Sequence, residues 1–144
     1  MKRNADKILL IDTSQPEQAQ FVLAKKGHIF EYSFITPPGK RDVVLRELKK
    51  FLLSKNTRVS ILSSLIVVVG PGPFTAVRIG VTIGNMLSRA LQIPLYGVTV
   101  GQKKSLKKIF RDATENSKQS YTALRPVYSR PPNITHPVPK KAVK

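Results

Sequence analysis

The chain of 144 residues contains no cysteine and only two histidines, His28 and His136. Without cysteine, neither a disulfide nor a thiolate metal site can form. The two histidines lie far apart in the chain and no H-E-x-x-H-like pair occurs, so a histidine metal centre is not expected. The sequence therefore predicts a protein that binds no metal ion and no cofactor.

Long apolar runs are also missing. The first seven residues, 1–7, precede only four apolar residues, which is too few for a signal peptide. No run approaches the roughly 20 apolar residues that a membrane-spanning helix needs. We therefore expect a cytoplasmic protein that makes no use of a membrane.

Acidic residues are scarce, since the chain has 8 of them against 25 lysines and arginines, for a net charge of +17. Residues 101–144 carry 11 basic and 2 acidic side chains and are the most basic part. This excess indicates contact with phosphates or with an acidic partner. The alternative is a solubilising surface followed by a disordered tail. Because no aromatic-rich RNA-binding signature is present, nucleic-acid binding rests on charge alone.

The spacing of apolar residues predicts an α/β fold with the element order βββαβαβα. This order is that of a single half of the ribonuclease-H-like architecture shared by actin-like ATPases and sugar kinases. We expect this domain to occupy residues 1–115 and a basic, Pro-rich, extended tail to occupy residues 116–144. The predicted strands cover 7–14, 19–25, 29–35, 65–69 and 95–100, and the predicted helices cover 41–54, 75–91 and 103–111.

The turn before the second predicted helix reads Gly70-Pro71-Gly72-Pro73. Thr75 is the expected N-cap of that helix. A glycine-rich turn into a helix favours an anion, so Asp12, Thr13, Gly70 and Gly72 are candidate nucleotide contacts. The turn lacks the third glycine of a dinucleotide fingerprint and the Lys-Ser/Thr of a P-loop. A purely structural turn is the alternative, and no catalytic triad or acid–base carboxylate pair is recognisable.

The helix predicted over 75–91 has a narrow polar stripe of Arg78, Thr82, Asn85 and Arg89. The rest of its circumference is apolar or small, which is wider than one sheet face covers. Gly80 and Gly84 would form a flat ridge at a propensity cost of about 1 kcal/mol each. We expect a partner subunit to cover this surplus, with coverage by the first helix as the alternative.

Residues 67–80, Val-Val-Val-Gly-Pro-Gly-Pro-Phe-Thr-Ala-Val-Arg-Ile-Gly, resemble the GPGSFTGxRIG signature of the TsaB (YeaZ) family. Residues 11–14 are similar to that family's first-strand motif, residues 93–98 to its following strand, and residues 125–135 to its closing segment. Pro73 and Ala76 stand where the family usually has serine and glycine. A short basic stretch, 103–120, stands in place of a second subdomain, so the chain resembles a shortened member.

The resemblance implies a non-catalytic paralogue of TsaD, the subunit that transfers threonylcarbamoyl to adenosine 37 of tRNA. It implies pairing with TsaD, or a homodimer, through the first two helices, and a complex completed by the ATPase TsaE. The contact residues expected on these helices are Val44, Leu48, Phe51, Val77, Gly80, Val81, Gly84, Leu87 and Leu91.

The residues are also compatible with two other functions. One is an actin-like nucleotide-binding ATPase module that uses the turn and Asp12. The other is a basic tRNA-binding module, which can coexist with the scaffold role. Its expected phosphate contacts are Lys103, Lys104, Lys107, Lys108 and Arg111.

Overall fold

The structure, a computed structural model, describes residues 7–37, 42–115 and 123–128. The described residues form the predicted α/β arrangement, with five strands in the order β3-β2-β1-β4-β5 and three α-helices. β1 pairs antiparallel with β2 and parallel with β4, while β3 and β5 form the edges. The strands are β1 Ile8–Asp12, β2 Gln18–Lys25, β3 His28–Ile35, β4 Ser64–Gly70 and β5 Leu95–Thr99, and the helices are α1 Val43–Ser54, α2 Phe74–Leu91 and α3 Leu106–Glu115.

The core lies on both faces of the sheet because side chains alternate along each strand. Leu9 and Ile11 of β1 pack in the cluster that α1 and α2 cover. Ile8 and Leu10 pack in a second cluster, which contains Phe110 of α3. The two central strands, β1 and β4, are therefore buried on both sides, as their uninterrupted apolar sequences predict.

Two local predictions need correction. Thr75 is not the N-cap of α2: the cap is Pro73, with φ −58° and ψ 142° and no side-chain cap hydrogen bond. The helix thus begins one residue earlier, at Phe74, directly after a proline whose ring fixes φ. The third helix is also displaced, since residues 102–105 form a 3-10 turn and α3 then continues to Glu115.

Most of the predicted tail lies outside the described residues, and the predicted boundary at residue 115 stays a prediction. Residues 123–128 are described, and they lie against the domain: the Val127 N–H donates to the Val69 carbonyl oxygen at 2.6 Å. None of the helices in the described ranges has the length and apolar character that crossing a bilayer requires.

Candidate functional site: the outer face of two helices

The two glycines of α2 face the protein's own sheet. A Cβ atom at Gly80 would lie 2.6 Å from Thr13 Oγ1, and one at Gly84 would lie 2.4 Å from Val67 Cγ2. The prediction that these glycines contact a partner is therefore wrong. They allow α2 to approach β1 and β4 more closely than any larger residue would permit.

Most of the other predicted contact residues are also internal. These residues are buried within the core cluster beneath α1 and α2, namely Val44, Leu48, Phe51, Val77 and Val81. They pack there with strand residues such as Leu9, Phe21 and Val67, so the sheet itself covers them. Leu87 and Leu91 are only half-buried and keep part of their surface free.

A different set of apolar side chains on these helices is exposed. Leu45 and Leu53 of α1 are 46% and 54% exposed, and Met86 of α2 is 50% exposed. With half-buried Ile79 and Leu87 they form what we call the outer helical face. A groove of about 480 Å³ runs along it, lined by Leu45, Leu48, Leu52, Leu53, Val59 and Leu87, with Lys49 and Arg58 at its margin.

The carboxylate of Asp12 is buried, and each of its two oxygens has a partner within the chain. Its Oδ1 accepts hydrogen bonds from the backbone N–H and the hydroxyl of Ser14, at 2.8 and 2.6 Å. Its Oδ2 forms an ion pair with Lys103 Nζ at 2.5 Å. Lys103 Nζ also donates to the side-chain oxygen of Gln20. Asp12 thus ties the end of β1 to the segment that precedes α3.

The other three candidate nucleotide contacts lie near Asp12 and are also in contact with protein atoms. The Thr13 hydroxyl bonds to the backbone of α2. A Cβ at Gly72 would lie 2.6 Å from the carbonyl oxygen of Ser14, and one at Gly70 would meet the carbonyl oxygen of Val127. The structure does bring the four residues to one end of the sheet. A nucleotide there would have to displace these internal contacts.

The basic residues do not act as one group. Lys103 is largely withdrawn into the ion pair with Asp12, so its assignment as a tRNA contact is corrected. The remaining four, Lys104, Lys107, Lys108 and Arg111, are exposed on α3 and the turn before it. Among the side chains that the structure describes, no acidic group forms an ion pair with these four. They lie on the opposite side of the sheet from the outer helical face.

Sequence reasoning missed the role of Asn85. Its side chain donates to the Leu124 carbonyl oxygen at 3.1 Å and accepts from the Leu124 N–H at 2.8 Å. The sequence does show an amide side chain on a mostly apolar helix, which indicates that this side chain has a hydrogen-bond partner. The sequence could not identify that partner, because Leu124 is 39 residues away in the chain. Within the described ranges, no group of three or more His, Cys, Asp or Glu side chains is arranged to hold a metal ion.

Comparisons with known proteins agree with this fold. Residues 40–114 match the protein family described as TsaD, tRNA N6-adenosine threonylcarbamoyltransferase. The chain is 32% identical over 95 residues to the tRNA threonylcarbamoyladenosine biosynthesis protein TsaB of Buchnera aphidicola subsp. Schizaphis graminum, and 29% identical over 93 residues to TsaB of Escherichia coli. These matches cover 66% and 65% of this chain but 45% and 40% of the relatives. The chain thus spans less than half the length of the curated relatives it matches.

A solved structure, YeaZ from Pseudomonas aeruginosa, shows the same fold with a TM-score of 0.62 at 24% identity. The superposition covers 72% of this chain and 50% of that one. The family match spans more than half of the present sequence, and it includes α1, β4, α2, β5 and α3. The chain therefore belongs to this family, and its relatives within it are the TsaB (YeaZ) proteins of tRNA threonylcarbamoyladenosine biosynthesis.

Proposed function

We propose that this chain is a non-catalytic scaffold subunit that binds a TsaD-type catalytic subunit during threonylcarbamoylation of adenosine 37 in tRNA. The observation that carries the proposal is the outer helical face. Three large apolar side chains, Leu45, Leu53 and Met86, are each about half exposed on two adjacent helices of one sheet face. Contiguous exposed apolar surface of this kind is typical of a protein–protein contact.

The charged residues at the margin of the outer helical face indicate which side chains the partner carries there. Lys49 and Arg58 line the groove, and Arg78 borders the same surface beside Leu45 and Ile79. An apolar centre with a charged rim is the usual arrangement of a protein interface. We expect the TsaD-type partner to place apolar helix side chains over the groove and acidic side chains opposite these cations.

The non-catalytic assignment is supported by the state of Asp12. Among the carboxylates whose exposure the structure describes, it is the one that is buried, and its two oxygens already accept hydrogen bonds from Ser14 and Lys103. A general base or a metal ligand has to face a substrate or an ion, whereas both oxygens of Asp12 are directed at groups of the chain itself. In this proposal the transferase chemistry belongs to the partner, an ATPase of the TsaE type joins the complex, and a homodimer forms when the partner is absent. The complex with the catalytic partner would act on tRNA in the cytoplasm.

A pair of matched charge substitutions tests the docking face. Leu53→Glu adds a charge at the outer helical face, and Ile35→Glu adds the same charge at β3, where Ile35 is 75% exposed. Both sites are exposed, so both variants are expected to fold. Leu53→Glu should weaken binding to the TsaD-type subunit by about tenfold or more, since a charge at an apolar contact is left desolvated. Ile35→Glu should leave it unchanged. Equal affinities of the two variants would overturn the proposed face.

A second role, contact with tRNA phosphates, is favoured by the four exposed cations before and along α3. Lys107 and Lys108 occupy the first turn of α3, where positive charge is unfavourable to the helix dipole. Phosphate binding would compensate that cost. Because these residues and the outer helical face lie on opposite sides of the sheet, tRNA and the protein partner could bind together.

The salt dependence of tRNA binding tests this second role. The double variant Lys107→Glu/Lys108→Glu should weaken binding and flatten the plot of log affinity against log salt concentration, since fewer counterions are released. The control, Lys49→Glu/Lys50→Glu, makes the same change in net charge on exposed residues of α1. Equal losses in both variants would show that only net charge matters and would contradict a phosphate site on α3.

A further inference from the structure

Residues 123–128 lie along the domain with the alternation of a β-strand. Leu124, Pro126 and Tyr128 are half-buried, while Ala123, Arg125 and Val127 are exposed. A period of two means that the segment is extended and presents one edge of side chains to the domain. The side chains that face the domain are therefore Leu124, Pro126 and Tyr128.

The domain recognises the backbone of this segment at three points. Asn85 bonds to both the N–H and the carbonyl oxygen of Leu124, which reproduces the pairing of one strand residue with another. The Val127 N–H donates to the Val69 carbonyl oxygen, at the point where the β4–β5 register shifts. Gly72 and Tyr128 form an isolated parallel bridge. Such main-chain contacts are how proteins bind an added strand.

Two glycines and an aromatic ring complete the groove. A Cβ at Gly70 would collide with the Val127 carbonyl oxygen, and one at Gly97 would lie 3.0 Å from the Leu124 side chain. Phe74, at the first position of α2, packs on the Tyr128 ring with centroids 4.6 Å apart. Gly70 thus leaves room for the backbone of Val127, Gly97 leaves room for the side chain of Leu124, and Phe74 provides an aromatic contact for Tyr128.

We propose that the groove formed by Gly70, Phe74, Asn85 and Gly97 is a binding site for an extended peptide with a leucine and, four residues later, a tyrosine, and that its ligand is the chain's own segment 123–128. The segment contacts the glycine turn at one end and Asn85, about three helical turns further along α2, at the other. Its binding braces the turn against α2. The proposal is independent of the proposed pairing with TsaD.

Amide hydrogen exchange in the full chain tests the site directly. In the natural protein, the amides of Leu124 and Val127 should exchange at least about tenfold more slowly than in an unstructured peptide. Asn85→Ala should remove the protection of both amides, because the anchor at Leu124 is lost. Thr82→Ala, an exposed position one turn away on the same helix, should change neither. Peptide-like exchange in the natural chain, or unchanged protection in Asn85→Ala, would overturn the proposal.

Binding in trans tests whether the groove is a true recognition site. In a full-length Leu124→Asp/Val127→Pro variant, the segment loses its apolar anchor and the N–H that bonds to Val69. A fluorescently labelled peptide of the natural sequence 121–130 should bind this variant saturably. The same peptide carrying Leu124→Asp should not bind, and adding Asn85→Ala to the protein should abolish binding. A folded double variant that does not bind the natural peptide would refute the proposal. If the double variant does not fold, the hydrogen-exchange experiment tests the proposal alone.

Discussion

The hydroxyl of Thr13 accepts a hydrogen bond from the backbone N–H of Gly80 at 2.9 Å. The same hydroxyl donates to the carbonyl oxygen of Ala76 at 2.7 Å. Residues 76 and 80 are four apart, the spacing at which carbonyl and amide bond to each other in a regular helix. Thr13 thus bridges one hydrogen-bonding position of α2 and ties that helix to the end of β1. The close approach depends on the absence of a Cβ at Gly80.

Thr13→Val should destabilise the fold. Valine keeps the shape of the side chain but removes both hydrogen bonds in a site that is buried. Leaving buried polar groups without a partner costs about 1–3 kcal/mol. Chemical denaturation should therefore show that loss in the free energy of unfolding. The control Thr82→Val, exposed on the same helix, should change stability by no more than about 0.5 kcal/mol. Equal effects of the two variants would contradict the bridging role.

Gly84→Ala should also destabilise the protein, although alanine is the better helix former by about 1 kcal/mol. The added methyl would lie 2.4 Å from Val67 Cγ2 in the centre of the sheet, so α2 would have to move outward. Overpacking of this kind costs about 1–3 kcal/mol. Gly101→Ala is the matched control, because its new Cβ meets nothing nearer than 3.9 Å. Thermal unfolding of both variants checks the prediction, and a Gly84→Ala protein as stable as the control would disprove the close packing.

Alkaline unfolding should depend on Tyr32. Its hydroxyl donates to Glu47 Oε2 at 2.8 Å, and this hydrogen bond, with burial and the carboxylate's charge, raises the pKa of Tyr32 above its ordinary value of 10.0. The folded protein therefore holds this proton more tightly than the unfolded chain. The resulting stabilisation is complete below pH 10 and is lost as the pH rises through the folded-state pKa.

The matching measurement is the free energy of unfolding as a function of pH for the natural chain and for Tyr32→Phe. Above pH 10 the variant should lose stability less steeply, since it lacks the phenol that links folding to protonation. Burial also raises the pKa of Tyr96, which is present in both proteins and so cancels in the comparison. Identical slopes would contradict the raised pKa of Tyr32.

The order of elements could be predicted from sequence because each local signal was strong. The alternation of apolar residues predicted strands over 19–25 and 29–35, and the structure confirms both as the antiparallel pair β2–β3. Lys26 and Gly27, which have positive φ angles, form the turn between them. The start of α2 could not be placed correctly, because a threonine near a helix start is a common cap. In the structure the N-cap is Pro73, whose ring fixes the backbone φ angle just before the helix begins. The local sequence favoured Thr75 as the cap, but the helix begins one residue before it.

The side of α2 that faces outward was predicted less well. Periodicity identifies an apolar arc but does not show which part of it the sheet covers, so Gly80 and Gly84 were assigned to a partner. Their actual neighbours, Thr13 and Val67, are more than 15 residues away in the chain. The contact between Lys103 and Asp12 was likewise hidden, since it joins residues 91 positions apart. Long-range pairings of this kind are fixed by topology and carry no local signature.

The central claim is that the outer helical face binds a TsaD-type subunit, and calorimetric titration of the natural chain into that subunit tests it most directly. We predict saturable binding at one chain per subunit, with a negative heat-capacity change because apolar surface such as Leu53 and Met86 is buried. Absence of binding heat at several temperatures, with both proteins folded and no complex on size exclusion, would contradict the scaffold role.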